Sequence, residues 1–138
     1  MDKLEYIPGD LVKIEYGEAA GKIGFVTNAI LKRKGSYGLF VFIGKEFQGS
    51  SKDDWISTYN DEVSPIPLTT EILEKNGWKK PDVFDSYWLG KIGLLQFGEV
   101  WQYALGNTKI AVTLGNIQYV HQLQHLLFGL GLNSEMEV

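Results

Sequence analysis

Glycine interrupts the chain eight times between Gly9 and Val63, and the segments between those glycines are short and apolar. A glycine inside a helix costs ~1 kcal/mol relative to alanine, so such punctuation favours strands joined by turns. Leu11-Val12-Lys13-Ile14-Glu15-Tyr16 alternates after its first residue, placing Val12, Ile14 and Tyr16 on one face of a strand and Lys13 and Glu15 on the other. Gly17 to Gly21 forms a turn. Lys22 to Leu31 reads as a second strand, with Gly24 as a bulge or a close backbone approach. Lys32-Arg33-Lys34-Gly35 closes a hairpin into Tyr37–Gly44, whose Leu39-Phe40-Val41-Phe42-Ile43 run is apolar enough to be covered on both sides. A polar loop then leads to Trp55-Ile56 and a last strand near Glu62–Ser64. Four or five short strands in so few residues predict a small β-barrel over residues 1–64.

Pro65-Ile66-Pro67 ends that pattern, because proline fixes φ and holds the residue before it out of the helical region. Residues 65–138 follow a different plan. Thr69 is placed to cap a short helix, Glu71 suits its positive end, and Asn76-Gly77 stops it with Trp78 folding back on Leu73. Tyr87–Leu89, Ile92–Phe97, Val100–Leu105 and Lys109–Leu114 read as an antiparallel meander. Asn116 is expected to cap a final helix from Ile117 to about Leu130, which Gly131 ends. On that helix Ile117, Tyr119, Val120, Leu123, Leu127, Phe128 and Leu130 span roughly 200°, wider than the stripe of an ordinary surface helix, so burial on more than one side is expected. The fold class is α+β: a barrel, then an α-β-meander-α unit.

Composition narrows the chemistry. Without cysteine there are no disulfides, thiolate nucleophiles or thiolate-bound metals. The first apolar residues are broken up by Glu5, Pro8 and Asp10, and no apolar run approaches the ~18 residues of a membrane span, so a cytoplasmic protein is expected. Net charge is −4; residues 1–64 hold eight basic and ten acidic side chains, and residues 65–138 hold five and seven. Neither half carries the basic surplus that counterion release rewards in nucleic-acid binders.

Candidate site residues are few. Lys32, Arg33 and Lys34, extended by Lys45 and by Tyr37 or Trp55 as exposed aromatics, offer the basic-plus-aromatic combination that single-stranded nucleic acid needs. The same charges equally suit a solvated hairpin tip. His121 and His125 share a helix face at metal-ligand spacing. Yet Gln122 stands where a zincin protease has its glutamate and no third ligand is evident, so they read as boundary histidines, His121 at the edge of the apolar arc and His125 on the wet side. Gln124 falls inside that arc and is expected to bond a backbone group of the adjoining sheet or helix, as a structural lock. The carboxylates Asp53-Asp54, Asp61-Glu62, Asp82 and Asp85 lie in loops. There is no nucleophile elbow and no phosphate-binding glycine loop. No catalytic residue, metal or cofactor is implied.

Two resemblances add to this. Gly9-Asp10, Val12, Ile14, Gly17, Gly21-Lys22, Gly24 and Val26 resemble the KOW motif of SH3-like barrels found in ribosomal and transcription-elongation proteins. That likeness implies an SH3-like barrel. Where the family often has a basic loop this chain has Glu18-Ala19-Ala20, which argues against RNA contact there. In the second half, Pro65-Ile66-Pro67-Leu68-Thr69 with Glu71 to Trp78, and the terminal Tyr119 to Leu126, are similar to a group of small uncharacterised bacterial proteins associated with phages and mobile elements. The likeness implies a shared α-β-meander-α module behind a variable N-terminal part, with Tyr119 to Leu126 as its packing signature or as a shared partner-binding surface. The expected function is a non-catalytic interaction module that binds a protein partner or itself; the alternative is a nucleic-acid-binding accessory protein using the barrel and the Lys32–Lys34 hairpin.

Overall fold

The computed structural model describes residues 6–33, 36–45, 51–81, 86–107 and 110–138, and for residues 31–33 the backbone alone. The chain is α+β and divides into two compact units, Met1–Ile66 and Pro67–Val138.

The first unit is a curled, barrel-like antiparallel sheet of five strands: β1 (Leu11–Ile14), β2 (Ile23–Arg33), β3 (Ser36–Phe42), β4 (Trp55–Tyr59) and β5 (Val63–Ser64), in the order β4-β3-β2-β1-β5. The long β2 carries the curl. It pairs with β1 through Ile23 to Phe25 and with β3 through Phe25 to Arg33, and register shifts lie between Val26 and Asn28 and between Leu31 and Arg33. Gly24 makes this possible. A Cβ there would run into the carbonyl oxygen of Phe42 and lie 2.9 Å from a Val41 methyl, so only glycine lets the two strands come so close. Ahead of β1, Gly9 takes φ +99° and the buried Asp10 carboxylate accepts the Ile7 N–H at 2.9 Å, closing a tight turn. The core is mainly aliphatic: Val12, Ile14, Ala19, Val26, Leu39, Val41 and Val63, with Tyr6 and Tyr37. Tyr16, expected on the inner face, lies beyond the end of β1 and is exposed.

The second unit opens with α1 (Thr70–Lys75). Thr69 caps it, its hydroxyl accepting the Ile72 N–H at 3.2 Å. Gly77, at φ +86°, ends it with Trp78 N–H donating to the Leu73 carbonyl at 3.0 Å, a Schellman closure that brings two buried side chains together. Four strands follow as a meander in sequence order: β6 (Ser86–Leu89), β7 (Ile92–Phe97), β8 (Val100–Gly106) and β9 (Ala111–Ile117). Tyr87, Ile92, Leu94, Trp101 and Ile117 are buried, as are Leu68, Leu73 and Trp78. Trp101 donates its indole N–H to the Leu68 carbonyl at 3.0 Å, and Tyr87 its hydroxyl to Glu74 at 3.2 Å. Burial, with the nearby Glu74 carboxylate, raises the Tyr87 phenol above its usual pKa.

The last helix, α2, is Val120–Gly129, not Ile117–Leu130. Asn116 and Ile117 belong to β9, because Trp101 claims Ile117 as a strand partner and Gln102 claims Asn116. The cap comes instead from Gln122, whose side-chain oxygen accepts the N–H groups of Gln118 (2.7 Å) and Tyr119 (3.0 Å). Gly131, at φ +73°, ends the helix, with Leu132 N–H reaching the Leu127 carbonyl at 2.9 Å.

Candidate interaction surface

Alternation along the first sheet puts Val26, Val41 and Ile56 in one cross-strand row facing the core, and Phe25, Phe42 and Trp55 in the next row facing out. Two further outward rows follow, Asn28–Phe40–Ser57 and Ile30–Gly38–Tyr59. The outer face of β2, β3 and β4 therefore carries one fully aromatic row and a single ring, Phe40 or Tyr59, in each of the next two. Phe42 is sealed between Phe25 (ring centroids 5.6 Å apart) and Trp55 (4.8 Å), so it is buried although it points away from the core. Above that base Phe40, Trp55 and Tyr59 are 42%, 40% and 47% exposed, with Ile30 beside them. The apolar run in β3 is thus covered on its inner side and, on its outer side, only at Phe42.

The predicted site residues separate on this frame. Trp55 lies in the aromatic face. Tyr37 does not: it is 5% exposed, its hydroxyl accepts the Tyr6 N–H at 3.2 Å and its own N–H donates to Asn60 at 3.0 Å. The expectation of an exposed, stacking Tyr37 is corrected. Tyr37 alternates in step with the buried Leu39 and Val41 on the inner side of β3, and its hydroxyl finds a partner inside the unit. Lys32 and Arg33 end β2 in backbone, and Lys34 lies outside the described residues, as do Asp82 and Asp85. Lys45 is exposed. Asp53 and Asp54 sit in a one-turn helix before β4, Asp61 and Glu62 in another before β5.

In the second unit His121 is 2% exposed, which corrects its placement at the boundary. Its ring stacks on Tyr119 (centroids 6.0 Å, planes 16° apart) and meets His125 edge-on at 5.6 Å. Burial, reinforced by the charge of His125, lowers its pKa to about 4, so it is neutral near pH 7. His125 is half-buried rather than on the wet side, and borders a shallow cleft of ≈ 320 Å³ with Tyr103, Asn116, Gln122 and Leu126. Among the described residues no group of three or more His, Cys, Asp or Glu comes together as a metal would need, and no helix is long and apolar enough to cross a membrane. Gln122, at the position of the zincin glutamate, is occupied as the helix cap.

Gln124 is buried, as expected from its place in the arc. Its amide donates to the carbonyl of Ser134 in the C-terminal tail at 3.1 Å. The tail continues to α1, where the Asn76 side chain and the Glu137 backbone exchange two hydrogen bonds of 2.7 and 2.8 Å. The arc itself is only partly covered. Val120, Leu123 and Leu127 are buried, while Phe128 is 71% exposed and Leu130 is also exposed.

Two features had no counterpart in the sequence reading. One is the aromatic face as a unit, which depends on register across three strands. The other is a groove of ≈ 520 Å³ lined by Leu89, Ile92, Leu105, Leu130 and Leu132 at the turn end of the second sheet. No protein family, curated protein or solved structure matches the chain.

Proposed function

We propose that the protein is a non-catalytic interaction module whose first unit, read as an SH3-like barrel, docks a protein partner on the outer face of β2, β3 and β4. The strand order β4-β3-β2-β1-β5, with a single turn of helix between β4 and β5, supports the SH3-like reading. One observation carries the docking role: Phe40, Trp55 and Tyr59 stand exposed on one face of the sheet in three successive rows, with Trp55 packed on the buried Phe42. Large aromatics held on a sheet lose little entropy on binding, and such clusters are the usual centres of protein interfaces.

A photo-reactive residue in place of Phe40, in the full chain inside its host cell, tests this. A single adduct of discrete mass is expected, lost on Trp55→Ser and absent when the probe replaces exposed Lys13. No adduct, or the same adducts from position 13, overturns it.

The same platform supports a second reading, since aromatic rings on a sheet also stack bases, and Lys52 adjoins Trp55 through the intervening turn. Titrating tryptophan fluorescence with single-stranded RNA and DNA at several salt concentrations separates the two. Phosphate contact produces a steep salt slope, and a response of that kind replaces the protein partner with nucleic acid.

A further inference from the structure

We propose that the second unit carries a groove for an extended peptide, built by α1 and α2 and filled here by the chain's own tail, residues 134–138. The partner it fits is an extended segment of another protein with uncharged side chains at every second position. This surface is distinct from the aromatic face of the first unit and does not rest on it.

The tail forms neither helix nor strand, yet its exposure alternates. Ser134, Met136 and Val138 are half-buried, and Glu135 and Glu137 are exposed. A period of two is that of an extended chain lying with one row of side chains against a support. Three side chains hold it, and all three reach main chain. Gln124 donates to the Ser134 carbonyl at 3.1 Å, and Lys75 to the main-chain oxygen of Val138 at 3.0 Å. Asn76 takes Glu137 in both directions, donating to its carbonyl at 2.7 Å and accepting its N–H at 2.8 Å. An amide that pairs with both polar groups of one residue does what a neighbouring strand does in an antiparallel sheet.

The receiving side is set in advance. The Asn76 amide also donates to the Ile72 carbonyl of its own helix at 2.7 Å, which fixes its direction before a peptide arrives. Gln124 is held in place by burial on α2. The tail itself is less secure: none of residues 134–138 is buried, and its bonds to Lys75 and Asn76 lie at the exposed surface. Segments of that kind open at low free energy. Contacts with main chain do not tell the tail from another extended chain. Selection comes from the inward row of serine, methionine and valine, where a charge would lose hydration. Another copy's tail has no advantage over the tethered one, whose effective concentration is in the mM range for a short connection. A different peptide with a better inward row does.

Fluorescence anisotropy with a labelled peptide of residues 133–138 and full-length chains tests this. Glu137→Pro removes the N–H that Asn76 accepts, loosening the tail and leaving the groove intact. That chain should bind the peptide at least tenfold more tightly than the wild type, because a larger fraction of its grooves is open. Met136→Asp loosens the tail from its inward side and should act in the same direction. Asn76→Ala added to Glu137→Pro should cancel the gain while circular dichroism shows a folded chain. Among peptides, Glu135→Gln with Glu137→Gln should bind like the parent, whereas Met136→Asp, or Glu137→Pro, should weaken binding at least tenfold. No binding to either loosened chain at about 1 mM peptide, equal binding to wild type and both loosened chains, or binding indifferent to proline in the peptide overturns the proposal. A wild-type dimer that Glu137→Pro dissolves would give the groove to another copy's tail, and overturns it as well.

Discussion

The two units differ in which rings their sheets bury. The first builds its interior mostly from valine, leucine and isoleucine and sets Phe40, Trp55 and Tyr59 on the outside of the sheet. The second takes Trp78, Tyr87 and Trp101 inside and leaves the aliphatic strand β9 bare. The difference lies in polar partners. Trp101 and Tyr87 can be buried because Leu68 offers a carbonyl and Glu74 a carboxylate, as Tyr37 can because its hydroxyl receives the Tyr6 N–H. A small curled sheet has a narrow interior, and β-branched side chains fill it without needing such partners. Phe40, Trp55 and Tyr59 lie on its outer face. Buried rings with polar partners therefore help hold the second unit together, while the first shows several of its rings on the outer face of its sheet.

The largest effect that would break this contrast is at Trp101. Trp101→Ala should cost ~3–5 kcal/mol by denaturant titration, as expected for emptying a filled core position. A loss below about 1 kcal/mol would mean that the indole is not what organises the second unit. Next comes Gln124. Gln124→Glu removes the donor to Ser134 and sets a carboxylate against a carbonyl, for a loss of ~1–3 kcal/mol, whereas Gln124→Leu should keep the fold. Equal melting temperatures for wild type and Gln124→Glu would show that the site is wet.

A smaller effect is expected from His121. Its pKa falls from 6.5 to about 4 in the folded chain, so the unfolded chain takes up the proton first as pH drops. The stability tied to the neutral ring is complete above about 6.5 and is lost as pH falls through that window toward 4. His121→Phe, which preserves a ring against Tyr119, should flatten that part of the curve of melting temperature against pH; an unchanged curve would count against a buried neutral imidazole. The smallest change sharpens the comparison from the other side. Trp55→Ser, on an exposed ring, should alter stability by no more than about 1 kcal/mol while removing the adduct at position 40. A large destabilisation there would make Trp55 a structural residue like Trp101.

Local rules made much of this molecule legible in advance. Thr69, Asn76-Gly77 and Gly131 mark helix ends because capping is settled within a few residues of chain. The meander strands follow from alternation and glycine spacing, and the burial of Gln124 from its angle on the helix. Sequence reasoning went astray where a distant partner decides. Asn116 looked like a cap until β8 claimed it for the sheet. His121 looked like a boundary residue, and is sealed beside Tyr119 and His125. Tyr37 and Trp55 looked alike, and cross-strand register sent one inward and the other outward.

By itself, then, the sequence determined the succession of elements, where the helices stop, and the absence of thiol chemistry, since each depends on neighbours along the chain or on composition alone. Only the tertiary structure decided which rings are sealed and which are exposed. Those outcomes turn on pairing between segments tens of residues apart. Shifting such a pairing by one residue reverses every side chain on the strand.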